Sequence, residues 1–172
     1  PLNYFNGWME EIRIWKVALT PDQLHLMMNQ HITKVDENEV EGEVIPLKIK
    51  NLKWDDLIGY YRMDETGCGY VLPYFDGVNY VGFNGRLNNI TTPQNKTAPL
   101  PYISANAGLW FDDTTWLHPQ VWDAPNSKGI DNTTKIDWNI ARISNNIYSG
   151  GNNITLLGLL SESDQFTITG DN

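Results

Sequence analysis

Along residues 10–15, apolar and polar side chains alternate with a period of two. Ile12 and Ile14 fall on one face and Glu11, Arg13 and Trp15 on the other, the pattern of a half-buried strand. A glycine turn at Gly7 precedes it. Across residues 20–31 the period lengthens. Leu24, Met27 and Met28 form an apolar stripe behind Thr20, a good N-cap, and Pro21, whose missing N–H costs nothing at the first helical position. Gln23 completes a capping box, and Leu19 and Leu24 stand where a hydrophobic staple has them. This is the one helix the pattern predicts. The stretch Asp36 to Glu43, DENEVEGE, holds five acids and reads as a solvated loop or hairpin, or a linker. Residues 57–64 (LIGYYRMD) predict a strand, and residues 65–102, rich in Gly, Asn, Pro and Tyr, predict short strands with long turns. Residues 136–143, 154–160 and 166–169 read as further strands between Gly, Asn and Ser turns. Their even spacing suggests a sandwich or the first rungs of a β-solenoid.

Composition supports an all-β chain. Its 172 residues suit one large domain or two small ones, and a 41% hydrophobic content supplies a core. Aromatic and β-branched residues fit pleated sheets. The formal net charge is −9, and after residue 100 eight acids face only three Lys or Arg. Nucleic-acid binding needs a basic footprint, which is lacking. An acidic surface also suits anionic lipid poorly, but it suits Ca²⁺ or a neutral partner such as sugar. No apolar run approaches the length of a membrane span, so direct membrane insertion is not expected. Cys68 is the single cysteine, so no internal disulfide is expected. The chain opens at Pro1 in what reads as mid-domain, so it is expected to be a piece of a longer polypeptide.

Two segments carry a family likeness. Phe5-Asn6-Gly7-Trp8-Met9-Glu10-Glu11-Ile12-Arg13-Ile14-Trp15, followed by Ala18-Leu19-Thr20-Pro21, resembles the closing motif of LamG-like (concanavalin A-like) jelly-roll modules. In that motif Ile-Asp is common where Met9-Glu10 stand here, and Val where Ile12 stands. Leu57-Ile58-Gly59-Tyr60-Tyr61-Arg62-Met63-Asp64-Glu65 resembles the opening strand of the same modules. Here the closing motif precedes the opening one, so the chain either spans a junction of tandem modules or uses the second strand to complete the first sandwich. The resemblance implies a partial jelly-roll sandwich with one short helix, followed by a β-rich segment. It divides the chain into residues 1–56 (the end of one module with its acidic linker), 57–102 (opening or completing strands) and 103–172 (a stalk or solenoid-like segment). Trp138-Asn139-Ile140 and the 153–160 segment are similar to stretches of very large bacterial surface proteins exported by type IX secretion, some of them gliding-motility adhesins. That likeness implies an extracellular, cell-surface location.

The candidate sites follow from these likenesses and from residue chemistry. Trp110, Trp116 and Trp122, with Tyr102, either stack sugar rings or fill a core or module interface. Asp64 with Glu65, and Asp112 with Asp113, are candidate Ca²⁺ ligands, since LamG-like modules often hold Ca²⁺ through loop oxygens; otherwise they are solvated acids. Asp113-Thr114-Thr115 resembles a bacterial O-glycosylation acceptor at Thr114. Asn89, Asn95, Asn132 and Asn153 begin N-x-[ST] triplets expected by chance. The acidic stretch fails as an EF-hand, having Glu41 where the loop needs glycine. His25, His31 and His118 lack metal-ligand spacing. Glu10 and Glu11 point to opposite faces of a strand, which favours a Glu11–Arg13 pair over a glycosidase dyad. Phosphate-binding and nucleophile-elbow motifs are missing. The chain is therefore expected to be a non-catalytic adhesive module whose partners are neighbouring modules and polysaccharide or surface glycans. Alternatives are a Ca²⁺-dependent carbohydrate-binding module and, more remotely, an accessory part of a glycoside hydrolase.

Overall fold

The computed structural model describes residues 9–63, 70–88, 101–117, 124–129 and 131–162, together with the backbone of a strand at 168–169. The chain is mostly β, with one short helix and several small sheets. Among the described residues no sheet closes or curls on itself, and no helix is long and apolar enough to cross a membrane. Two compact units are present: residues 1–20 with 31–99, and residues 21–30 with 100–172.

In the first unit, β1 (Ile12–Trp15) pairs antiparallel with β5 (Leu57–Tyr61), Ile14 lying opposite Gly59. The two segments with a family likeness are thus hydrogen-bonded neighbours across the 56/57 boundary. The acidic run, expected to be a loop, hairpin or linker, lies within a meander of β2 (Ile32–Val35), β3 (Glu39–Gly42) and β4 (Lys48–Lys53). Alternation explains this. Val40 is buried between Glu39 and Glu41, and the acids face lysines on β4, with Glu39 2.6 Å from Lys48 Nζ. Glu37 and Asn38 adopt positive φ at the β2–β3 turn. Ile32, Val40, Ile49, Leu52, Trp54, Leu57, Tyr60 and Val81 are buried in this unit. A small hairpin of β6 (Tyr70–Val71) and β7 (Gly85–Arg86) completes its strands.

The second unit holds α1 (Pro21–Met27), which stops short of the expected residue 31. Of the expected apolar stripe only Met27 is buried, while Leu24 and Met28 are exposed. Polar and aromatic contacts dock the helix instead. The His25 ring stacks on Trp138 at 3.8 Å, and Asn29 Nδ2 donates to Asn139 Oδ1 (2.8 Å) and to Trp138 O (3.1 Å).

The remaining strands are β8 (Tyr102–Ile103), β9 (Gly108–Leu109), β10 (Ile140–Ile143), β11 (Ile147–Tyr148), β12 (Gly158–Ser161) and β13 (Ile168–Thr169). They form two parallel sheets of the same design, β8–β10–β12 and β9–β11–β13. Each consecutive strand pair along the chain adds one strand to each sheet. Trp110, Trp116, Ala124, Ala141, Ile143 and Ile147 form the core beside them.

Candidate functional site

Among the described residues of the first unit, the three most exposed apolar side chains, Val78, Tyr80 and Phe83, come from one short segment, Phe75 to Phe83. Phe75 is 49% exposed, Val78 75%, Tyr80 61% and Phe83 88%. The segment is nonetheless tightly tied. Asp76 Oδ1 accepts from the backbone N–H of Val78 (2.9 Å) and Asn79 (2.7 Å), closing the turn. Its other oxygen accepts from Trp54 Nε1 at 3.0 Å and lies 3.9 Å from Lys34 Nζ. Burial alone would raise the Asp76 pKa, but the bonds from Asn79, Val78 and Trp54, with Lys34 nearby, outweigh it and hold the carboxyl below its ordinary value. Val81 N–H donates to Tyr74 O, Tyr60 N–H to Val81 O and Tyr74 N–H to Tyr60 O, each at 2.8 Å, locking the loop onto β5.

Beyond Val81, Gly82 adopts a φ of +122°, and a Cβ there would lie 3.2 Å from the Gly59 backbone. Only glycine meets both demands without strain. Tyr61 Oη then donates to Phe83 O at 2.7 Å, fixing the backbone that carries the outermost ring. An open groove of about 500 Å³ runs beside these rings. Trp54, Ile58, Tyr80 and Phe83 line it, with Lys34, Asp55 and Asn79 among its polar edges. A smaller hollow of about 260 Å³, lined by Arg62, Leu72, Tyr74 and Phe75, also borders Tyr80.

Inside the same unit, Glu11 and Arg13 form the expected ion pair, which is largely buried, although Glu11 precedes β1 with a φ of +53° and does not share a strand face with Arg13. Tyr60 Oη donates to Glu11 Oε2 at 2.7 Å and accepts from Ile32 N–H at 3.3 Å. Burial pushes the Tyr60 hydroxyl up to about 12, so it stays a proton donor. His31 stands 3.3 Å from Glu11 and 3.6 Å from Glu43, and Arg62 donates to Glu43 at 2.7 Å while lying 4.2 Å from the Tyr74 ring centre. The charges are matched at close range, and the cluster braces β5 behind the exposed segment.

The tryptophans singled out in the sequence are in the second unit. Trp110 and Trp116 are 3% and 4% exposed and meet edge to face at 5.1 Å. Trp116 Nε1 donates to Trp110 O, and Trp110 Nε1 to Pro125 O. Both indoles therefore serve as core, and neither offers a face for a sugar ring. Asp112 and Asp113 border an open hollow with Phe111, Ser149 and Asn152. Asp112 Oδ1 caps a short turn by accepting from the N–H and Oγ1 of Thr114, which hold its pKa low. Thr114 is exposed, its hydroxyl engaged in that bond. Among the described residues no group of three or more His, Cys, Asp or Glu is placed to hold a metal. Trp122, Asp64, Glu65, Cys68, His118, Asn89 and Asn95 lie outside the described residues.

No family model matches the chain, and no curated protein or solved structure shows significant similarity to it. Sequence reasoning passed over Tyr80 and Phe83 although a signal was present. Phe75-Asp76-Gly77-Val78-Asn79-Tyr80-Val81-Gly82-Phe83 places aromatic residues on either side of an Asp-Gly turn.

Proposed function

We propose that the chain is a non-catalytic structural and adhesive part of a large secreted surface protein, and that the Phe75–Phe83 segment is its contact face. The observation that carries this reading is the rigid presentation of four exposed apolar side chains by a loop fastened at Asp76, Val81 and Phe83. Contiguous exposed apolar surface marks interaction sites, and a surface ordered in advance loses little entropy on binding. The antiparallel pairing of β1 with β5 supports a LamG-like jelly-roll origin for the first unit, because the first and last strands of such modules are neighbours. The repeated parallel pairing in the second unit supports a β-solenoid stalk, in which each rung rests only on the next.

The test is attachment. Beads coated with the chain are flowed over glass, hydrophobic and polysaccharide-coated surfaces, and detachment forces are compared with beads carrying a Tyr80→Ala/Phe83→Ala variant. Weaker attachment of the variant on at least one surface is the expected result. Equal detachment forces on every surface would remove the contact-face assignment.

A further inference from the structure

We propose that the groove beside Tyr80 and Phe83 seats an arginine side chain of a partner protein, its guanidinium stacked on an aromatic ring and paired with the Asp55 carboxylate. The proposal rests on reading the Phe75–Phe83 segment as a contact face and names the chemistry of its partner.

Charge selects the sign of the partner. Lys34, Asp55 and Asp76 are the charged residues lining the groove. Asp76 is turned inward. One of its oxygens is held by the N–H groups of Val78 and Asn79, the other by Trp54 Nε1, and Lys34 Nζ lies 3.9 Å from that second oxygen. The one ammonium is thus answered by the inner carboxylate, and Asp55 is left over. Its carboxylate is exposed and forms no ion pair or hydrogen bond with another described residue. The adjacent Asp56 is already matched by Lys16 at 3.5 Å. The groove therefore carries one unanswered negative charge, which a cation completes. The chain's formal charge of −9 also draws basic partners and repels acidic ones at long range.

The rings select the kind of cation. Tyr80 and Phe83 stand exposed over the same groove, and the face of an aromatic ring attracts positive charge. A guanidinium is planar and weakly hydrated, so it can stack on a ring while forking two N–H donors onto a carboxylate. An ammonium is a compact, strongly hydrated point charge and gains less from the rings. A purely apolar partner would desolvate Asp55 without a counter-charge. The hollow on the other border of Tyr80 asks for no second cation. Arg62, the one charged residue lining it, is already bonded to Glu43 at 2.7 Å and lies against the Tyr74 ring. With Leu72 and Phe75 in its walls, that hollow suits an apolar neighbour of the arginine.

The frame is set before any partner arrives. Trp54 is buried with its indole N–H on Asp76, and Gly82 with the Tyr61–Phe83 bond fixes the backbone that carries the outer ring. Stacking then costs little reordering of the loop.

Biosensor chips carrying peptides of the form Leu-Gly-X-Gly-Leu, with X arginine, lysine, citrulline or glutamate, test the proposal on the full chain. The wild type should bind the arginine chip most tightly and the lysine chip more weakly. It should ignore glutamate and citrulline, the second being nearly the shape of arginine without its charge. Phe83→Ala, Phe83→Leu and Asp55→Asn should each weaken arginine binding about ten-fold, the scale of one desolvated cation–π or ion-pair contact. Phe83→Leu keeps apolar bulk but removes the ring face, and Phe83→Trp should bind at least as tightly as wild type. Asp137→Asn removes the same charge at an exposed position outside the groove. It should change binding less than about two-fold, because exposed charges elsewhere are screened by salt. Phe83 and Asp55 are exposed, so the thermal midpoint should be unchanged in all these variants. A wild type that does not bind the arginine chip overturns the proposal, as does equal binding to citrulline. Equal losses in Asp55→Asn and Asp137→Asn, or full binding by Phe83→Leu, overturn it too. No arginine binding combined with bead attachment that still depends on Tyr80 and Phe83 would refute the cation but keep the contact face, with an apolar surface as its partner. Attachment that ignores both rings would sink the two together.

Discussion

Asn126 offers the sharpest test of how the second unit is held. It is 3% exposed, adopts a φ of +67°, and its amide pairs with the backbone of Thr155 as another peptide would. Oδ1 accepts from Thr155 N–H at 3.1 Å, and Nδ2 donates to Thr155 O at 2.6 Å and more weakly to Ile136 O at 3.4 Å. Asn126→Ala removes two good bonds at a partly buried site, worth roughly 1–1.5 kcal/mol each. It also places alanine in the left-handed region, which costs about 1 kcal/mol more than asparagine does. The expected loss is about 3–4 kcal/mol, a large share of the 5–15 kcal/mol that holds a typical domain. Asn126→Gly relieves the backbone but not the bonds, so it should lose about 2–3 kcal/mol. Asn126→Asp keeps one acceptor but turns a carboxylate oxygen towards the Thr155 carbonyl. It should be the least stable of the three at neutral pH and recover relative to wild type as acid protonates it. Urea titrations followed by circular dichroism at pH 7 and pH 4 would measure the series. An aspartate variant as stable as wild type at pH 7, or an alanine loss under 0.5 kcal/mol, would refute the assigned role.

Two further predictions concern the first unit. Tyr60→Phe deletes the donor to the buried Glu11 carboxylate and the acceptor for Ile32 N–H, so it should cost about 2–3 kcal/mol in urea titrations despite its near-identical shape. The Asp76 carboxyl is held below its ordinary value of 3.8, so its ionised form stabilises the fold. That contribution is complete above the unfolded value and is lost as pH falls through the lower folded value. Wild type should therefore lose its stability advantage over Asp76→Asn between pH 4 and pH 2, and a constant difference across that range would contradict the assignment.

The sequence revealed elements more readily than partners. Alternation at Ile12–Trp15 marked one strand, and the apolar, aromatic run at Leu57–Tyr61 marked another. The acidic run was harder to place, since its charges outnumber Val40, the apolar side chain whose burial identifies β3. The helix was found but its docking was not. Leu24 and Met28 look like a buried stripe, and only the structure shows His25 on Trp138 and Asn29 on Asn139 doing that work. Two-residue strands such as β8 and β9 leave no periodic trace at all. At the candidate site the residue types were visible, but exposure was not. Trp110 and Trp116 drew attention because they fall in a tryptophan-rich stretch, yet it is Tyr80 and Phe83 that face solvent.

The parallel pairing of the second unit has a consequence for how it forms. Tyr102 and its partner Ala141 are separated by about twice as much chain as Ile140 and its partner Gly158. Each doubling of a loop adds only about 0.6 kcal/mol of closure entropy, so the native balance barely registers the difference. The order of assembly does register it, because long-range closure must be achieved before its contacts repay it. The strands at 140–148 and 158–161 are expected to gain amide protection first under pulsed hydrogen exchange during refolding. The strands at 102–109 would follow, and with them the stretch carrying Trp110, Trp116 and Asn126. The tryptophan core of this unit is then a late clasp closed over an existing stack, and damage to it would speed unfolding more than it slowed folding.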